Sequence, residues 1–143
     1  NIQVIAISGK NKKMYEDFNQ IVKAANKTDF IRVFEFVNNV PELMAISDIV
    51  ITKPGGLTTT ESLVSGLPMI IINPIPGQEE ENAQFLEHSN VGIWLKKQMY
   101  ITETISNFIS NDAKLKQMKE NTKKISNRNS TKDICTILKA GLN

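Results

Sequence analysis

Apolar positions follow two rhythms along this chain, and the two alternate. Residues 2–8 (Ile-Gln-Val-Ile-Ala-Ile-Ser) are β-branched-rich and almost continuously apolar. That pattern predicts a strand buried on both faces, as in a parallel sheet. After the polar turn Ser8-Gly9-Lys10-Asn11, the spacing of Met14, Phe18, Ile21, Val22 and Ala25 predicts a helix over 12–26. A second strand is expected over 31–36. Asn38-Asn39 is placed to cap a short helix with Pro41 in its first turn and Leu43, Met44 and Ile46 on its apolar side. Strands follow at 49–51, 69–72 and 91–95, with helices at 57–65 and 79–88 between them. From 102 onward the rhythm is helical only, over 102–110, 113–125 and 131–142, with Asn127-Arg128-Asn129-Ser130 separating the last two.

Alternation of strand and helix predicts an α/β fold: a parallel sheet with helices on both faces, followed by a helical C-terminal tail. Ligands of such sheets bind at the carboxyl ends of the strands. The loops at Gly9, Val37, Gly55 and 74–78 all fall there.

Residues 48–68 hold the most specific chemistry. An apolar strand runs into Lys53-Pro54-Gly55-Gly56, a helix opens at once, and Glu61 lies one turn inside it. A helix N-terminus leaves backbone N–H groups unpaired and carries partial positive charge, so it attracts an anion. Glycine lets that backbone approach a ligand closely, and an acid just behind a diphosphate stands where a ribose diol would lie. A nucleotide-sugar site is one reading of this pattern; an ordinary βα loop is the other. Gly66-Leu67-Pro68 stops the helix.

Composition narrows the field. A length of 143 residues suits one domain, and 41% hydrophobic with 22% charged residues is ordinary for a globular protein. A net charge of +2 does not point to nucleic acid. One cysteine, Cys135, and one histidine, His88, exclude an internal disulfide, a Cys-based zinc cage and a His-rich metal site. The Cys135 thiol is expected to be buried or neutral rather than nucleophilic. No apolar run reaches the ~20 residues that span a bilayer. The Gly-x-Gly-x-x-Gly, Gly-x-x-x-x-Gly-Lys-Ser/Thr and Gly-x-Ser-x-Gly motifs are absent. The basic stretch of Lys114, Lys116, Lys119, Lys123, Lys124, Arg128 and Lys132 reads as a solvated helix face, with a membrane surface as the rival.

The string Lys53-Pro54-Gly55-Gly56-Leu57-Thr58, Glu61, Gly66-Leu67-Pro68, Pro74-Ile75-Pro76-Gly77-Gln78-Glu79 and Asn82 resembles a known family. It is similar to the C-terminal, donor-binding domain of the monogalactosyldiacylglycerol synthases and bacterial processive diacylglycerol glucosyltransferases, GT-B glycosyltransferases of family 28. The Ser8–Asn11 turn is also similar, and the likeness runs over about residues 2–110. The related N-acetylglucosaminyltransferase of the cell-wall lipid precursor shares the Gly loop, the Glu and Gly-Leu-Pro, but usually lacks the Pro-Gly-Gln-Glu form.

The resemblance implies a UDP-sugar as substrate, UDP-glucose or UDP-galactose, with no required cofactor or metal. Backbone N–H groups of Gly55, Gly56, Leu57 and Thr58 would receive the diphosphate. The Thr58 hydroxyl is a further donor or a helix cap. Glu61 would accept from the ribose hydroxyls; otherwise it is a solvated helix carboxylate. Val37 would meet uracil through its main chain. Gln78 and Glu79 would meet the sugar hydroxyls, or else simply begin a helix. Asn82 would brace the loop or touch the donor. Lys53 would offset diphosphate charge or is simply a surface lysine, and Gly9 and Lys10 would flank the diphosphate. Glu80 and Glu81 read as solvated.

Measured against that family, the chain is expected to be a single domain lacking its first βα unit and the N-terminal acceptor domain with its general base. The expected parent is cytoplasmic and peripheral to the membrane, transferring hexose to diacylglycerol. Its partners would be the UDP-hexose, the lipid acceptor and the membrane surface, not nucleic acid. The alternatives are the donor-binding domain or soluble subunit of an N-acetylglucosaminyltransferase acting on a lipid-linked precursor, a non-catalytic subunit of a split glycosyltransferase, and a UDP-sugar epimerase of GT-B fold.

Overall fold

A computed structural model describes residues 2–96, 101–127 and 129–141. The chain forms two compact units, Asn1–Val40 and Pro41–Asn143.

In the first unit, β1 (Val4–Ile7) and β2 (Ile31–Phe34) pair in parallel, Val4 opposite Ile31 and Ile7 opposite Phe34. Helix α1 (Lys12–Ala24) links them. Asn11 caps α1 by accepting the Met14 N–H at 3.0 Å. Burial of β1 on both faces does not hold. Val4, Ile5 and Ile7 are 42%, 37% and 41% exposed. The physical reason is that, among the described residues, β1 has a partner strand along one edge only.

The second unit follows the expected layers. Past α2 (Val40–Ala45), β3 (Val50–Thr52), β4 (Met69–Ile71) and β5 (Gly92–Trp94) form a parallel sheet with β4 central. Its crossovers are α3 (Gly56–Val64) and α4 (Gln78–His88). The tail holds α5 (Ile101–Ile109), α6 (Asp112–Ile125) and α7 (Ser130–Ala140). Alternation along β4 sends side chains to opposite faces. Met69 and Ile71 pack with Ala83, Leu86 and Val91 on one side. Ile70 packs with Leu95, Phe108 and Met118 on the other. All three β4 residues are buried, each contributing about 1.5–3 kcal/mol. Gly92 is fixed by this packing, because a Cβ there would stand 3.1 Å from Ile71 and Leu86 side-chain atoms.

Glycine and asparagine close the helices. At Gly66, φ is +72°, and the Gly66 and Leu67 N–H groups return to the Leu63 and Ser62 carbonyls. This is a Schellman motif, and the buried Ser62 hydroxyl reinforces it by donating to the Leu67 carbonyl at 2.6 Å. Asn26 and Asn90, both at positive φ, close α1 and α4 with the same pair of bonds. Cys135 is exposed on α7, correcting its expected burial, because α7 buries none of its residues. Lys114, Lys116, Lys123 and Lys124 stand exposed on α6, while Lys119 pairs with Asp48 at 2.5 Å. Arg128 lies outside the described residues.

Candidate functional site

The chain leaves β3 at Thr52, passes the exposed Lys53 and the buried Pro54, and enters α3 through Gly55. Gly55 is the N-cap, extended at ψ 149°, with no side-chain cap. Thr58 is the third helical residue and so does not cap the helix. Thr59 N–H returns to the Gly55 carbonyl at 2.8 Å, which closes the first turn. The N–H groups of Gly55, Gly56, Leu57 and Thr58 have no acceptor among the described residues. An uncapped helix start leaves its N–H groups and the positive end of the dipole open, the arrangement that attracts anions in general. Glu61 is exposed and lies one turn behind Leu57, on the same face of α3. Its carboxylate makes no hydrogen bond or ion pair among the described residues.

The loop after β4 closes over from the other side. Asn73 takes φ +41°, and Gly77 adopts φ +99°, ψ −126°, a conformation that favours glycine strongly. The turn delivers Gln78 and Glu79 to the start of α4, where Glu79, Glu80 and Glu81 complement the helix dipole. Gln78 is exposed and has no hydrogen-bond partner among the described residues. Glu79 is half-buried. Its Oε2 accepts the Ile75 N–H at 2.7 Å, and its Oε1 lies 3.9 Å from where a Gly55 Cβ would stand. Glu80 is half-buried too, against the expectation that it is solvated, while Glu81 is exposed. Asn82 reaches further: its Nδ2 donates to the Pro54 carbonyl at 2.8 Å.

Within the second unit, α4 thus bonds both loops: Asn82 crosses to the glycine loop, and Glu79 holds the loop after β4. Gly9, Lys10 and Val37 belong to the first unit. Gly9, at φ +63°, and the exposed Lys10 follow β1, and Val37 follows β2, each at a strand's carboxyl end.

Two features of the site escape a linear reading. One is the Asn82–Pro54 bond, between residues 28 positions apart. The other is Thr59, whose hydroxyl is buried without a partner among the described residues. Helical phase holds the only hint for Thr59, since it shares the inward face with Ser62 three residues on. Among the described residues, no three His, Cys, Asp or Glu side chains gather as a metal cluster, and no helix is long and apolar enough to cross a membrane.

Fold and site together define a class: a parallel α/β domain that offers an uncapped, glycine-led helix start at the carboxyl edge of its sheet. Solved glycosyltransferase structures of GT-B type share that fold. MurG of Acinetobacter baumannii superposes with a TM-score of 0.73 at 18% identity, over 97% of this chain and 50% of that one. HepE of Anabaena, solved in complex with UDP, does so at 0.69 and 17%, over 97% and 41%. Residues 1–136 match the glycosyltransferase family 28 C-terminal domain, and the chain belongs to that family. It is 35% identical to the processive diacylglycerol beta-glucosyltransferase of Bacillus licheniformis over 95% of its own length and 35% of that protein. The corresponding values for the Bacillus subtilis enzyme are 35%, 93% and 34%. The chain therefore spans about a third of the length of these relatives.

Proposed function

We propose that this chain holds the donor, a UDP-hexose, within a longer glycosyltransferase that moves the hexose onto diacylglycerol or its glycosylated product. One observation carries the reading: four unclaimed backbone N–H groups, Gly55 to Thr58, at an uncapped helix start. They would take the diphosphate and stabilise the charge that grows on it as the glycosidic bond breaks. Glu61 would accept from the ribose hydroxyls. Gln78 and the uncommitted oxygen of Glu79 would meet the sugar, and Lys53 would offset phosphate charge. Relatives named as diacylglycerol glucosyltransferases favour a hexose donor and a lipid acceptor at a membrane surface.

Transfer also needs a base beside the acceptor hydroxyl. His88 ends α4, a helix of 11 residues and about 16 Å, so it lies a helix length from Gln78. The base would come from an acceptor domain elsewhere in the longer protein. A further βα unit would cover β1 and β3, which among the described residues each pair with one strand only, as β2 and β5 also do. Both edges keep apolar side chains exposed, and such edges accept further strands. The roles expected of Gly9, Lys10 and Val37 stand or fall on their own responses to ligand.

The chain alone is expected to bind UDP weakly and to turn nothing over. Calorimetric titration with UDP tests this. Glu61→Ala should weaken binding about tenfold or more, the worth of hydrogen bonds to a charged group. Unchanged affinity in that variant would remove the ribose role.

A further inference from the structure

We propose that Asn82 is a positioning residue: it holds the Pro54 carbonyl so that the first turn of α3 stays open to a diphosphate. The proposal rests on the donor reading above and deepens it. Pro54 directly precedes the N-cap Gly55. Its carbonyl is the acceptor that the Thr58 N–H would find four residues back if α3 grew by one residue at its start. In this structure that carbonyl accepts instead from Asn82 Nδ2 at 2.8 Å, and Gly55 stays extended at ψ 149°. With the Pro54 carbonyl held by Asn82 and Gly55 extended, the Thr58 N–H makes no hydrogen bond to it. While Asn82 holds it, the Thr58 N–H remains available to a ligand.

The anchor has the stiffness this task needs. Asn82 sits on α4 one residue before Ala83, which is fully buried in the core against Met69 and Ile71. Pro54 is itself buried, and its ring fixes its φ. Glu79, one turn earlier on α4, ties down the Ile75 N–H at 2.7 Å. One helix face thus fixes both loops, so the spacing between the diphosphate N–H groups and the sugar-side residues Gln78 and Glu79 is set by α4. Asn82 acts through Pro54 and does not touch the sugar.

Two measurements on Asn82→Ala test this. In the free protein, amide NMR should show the Gly55 to Thr58 signals displaced, with Thr58 N–H exchanging more slowly as it gains the Pro54 acceptor. In titrations, UDP and UDP-glucose should both bind about tenfold more weakly, by the same factor, while uridine affinity stays as it was. Loss confined to UDP-glucose would place Asn82 on the sugar and overturn the proposal. Unmoved amides with unchanged UDP affinity would overturn it as well. If the unaltered chain fails to bind UDP, the donor reading fails; the amide result alone then decides the brace, and unmoved signals refute it. Should Asn82→Ala unfold, the similarly sized, uncharged Asn82→Leu removes the donor without adding charge, with the same expected amide and ligand pattern.

Discussion

Strands β1 and β4 look alike in the sequence and end in opposite environments. Val4-Ile5-Ala6-Ile7 and Met69-Ile70-Ile71 are both unbroken apolar runs followed by a ligand-edge loop. Yet all three β4 residues are buried, whereas Val4, Ile5 and Ile7 are each more than a third exposed. The difference lies in neighbours. β4 has a strand on either side, α4 over one face, and α5 and α6 over the other. β1 has one strand beside it among the described residues. An apolar run therefore reports that a segment is a strand, but not how many elements cover it. The better covered strand also carries the better defined site: β3 and β4 deliver the glycine loop and the Gly77 turn, and α4 locks the two together.

The largest expected contrast comes from truncating the two strands. Ile70→Ala should lower stability by about 2–5 kcal/mol through lost burial and a residual cavity. Ile5→Ala, at a partly exposed position, should cost under about 1.5 kcal/mol. Urea denaturation followed by circular dichroism reads both, and equal losses would mean that β1 is covered in solution as fully as β4.

Next comes the packing beside β4. Gly92→Ala puts a methyl 3.1 Å from Ile71 and Leu86, so a loss of about 1–3 kcal/mol is expected in the same assay. A neutral result would show that the β4 core yields as readily as an exposed strand.

Thr59→Val should act in the other direction. It removes an orphaned buried hydroxyl while keeping shape, and the urea midpoint should rise by about 1 kcal/mol equivalent. Destabilisation would reveal a partner for that hydroxyl. The smallest effect is expected at the rim. Breaking the Lys119–Asp48 pair by Lys119→Ala should change stability by under about 1 kcal/mol, because Asp48 is largely solvated.

Local chemistry was legible where it obeys spacing. Helical phase gave the helices to within a residue or two, and Gly66-Leu67-Pro68 announced its Schellman stop. The matching stops at Asn26 and Asn90 were silent, because asparagine enters the left-handed region less often than glycine and so signals it weakly. Gly55-Gly56 before an apolar helix marked the glycine-led start of α3, since only local geometry is needed to make one. Asn82, by contrast, acts across 28 residues of chain on a backbone carbonyl. Nothing in the residue type or the spacing declares that contact. Solvent exposure of β1 and of Cys135 was hidden for the same reason: burial is set by elements distant in sequence.

The proposed role of α3 as a diphosphate receptor is tested most directly by titration of UDP against the backbone amides of the labelled chain. Saturable shifts should concentrate at Gly55, Gly56, Leu57, Thr58 and Glu61, and inorganic pyrophosphate should reproduce those at the first four. Saturable shifts clustered elsewhere, or none at the start of α3, would contradict it.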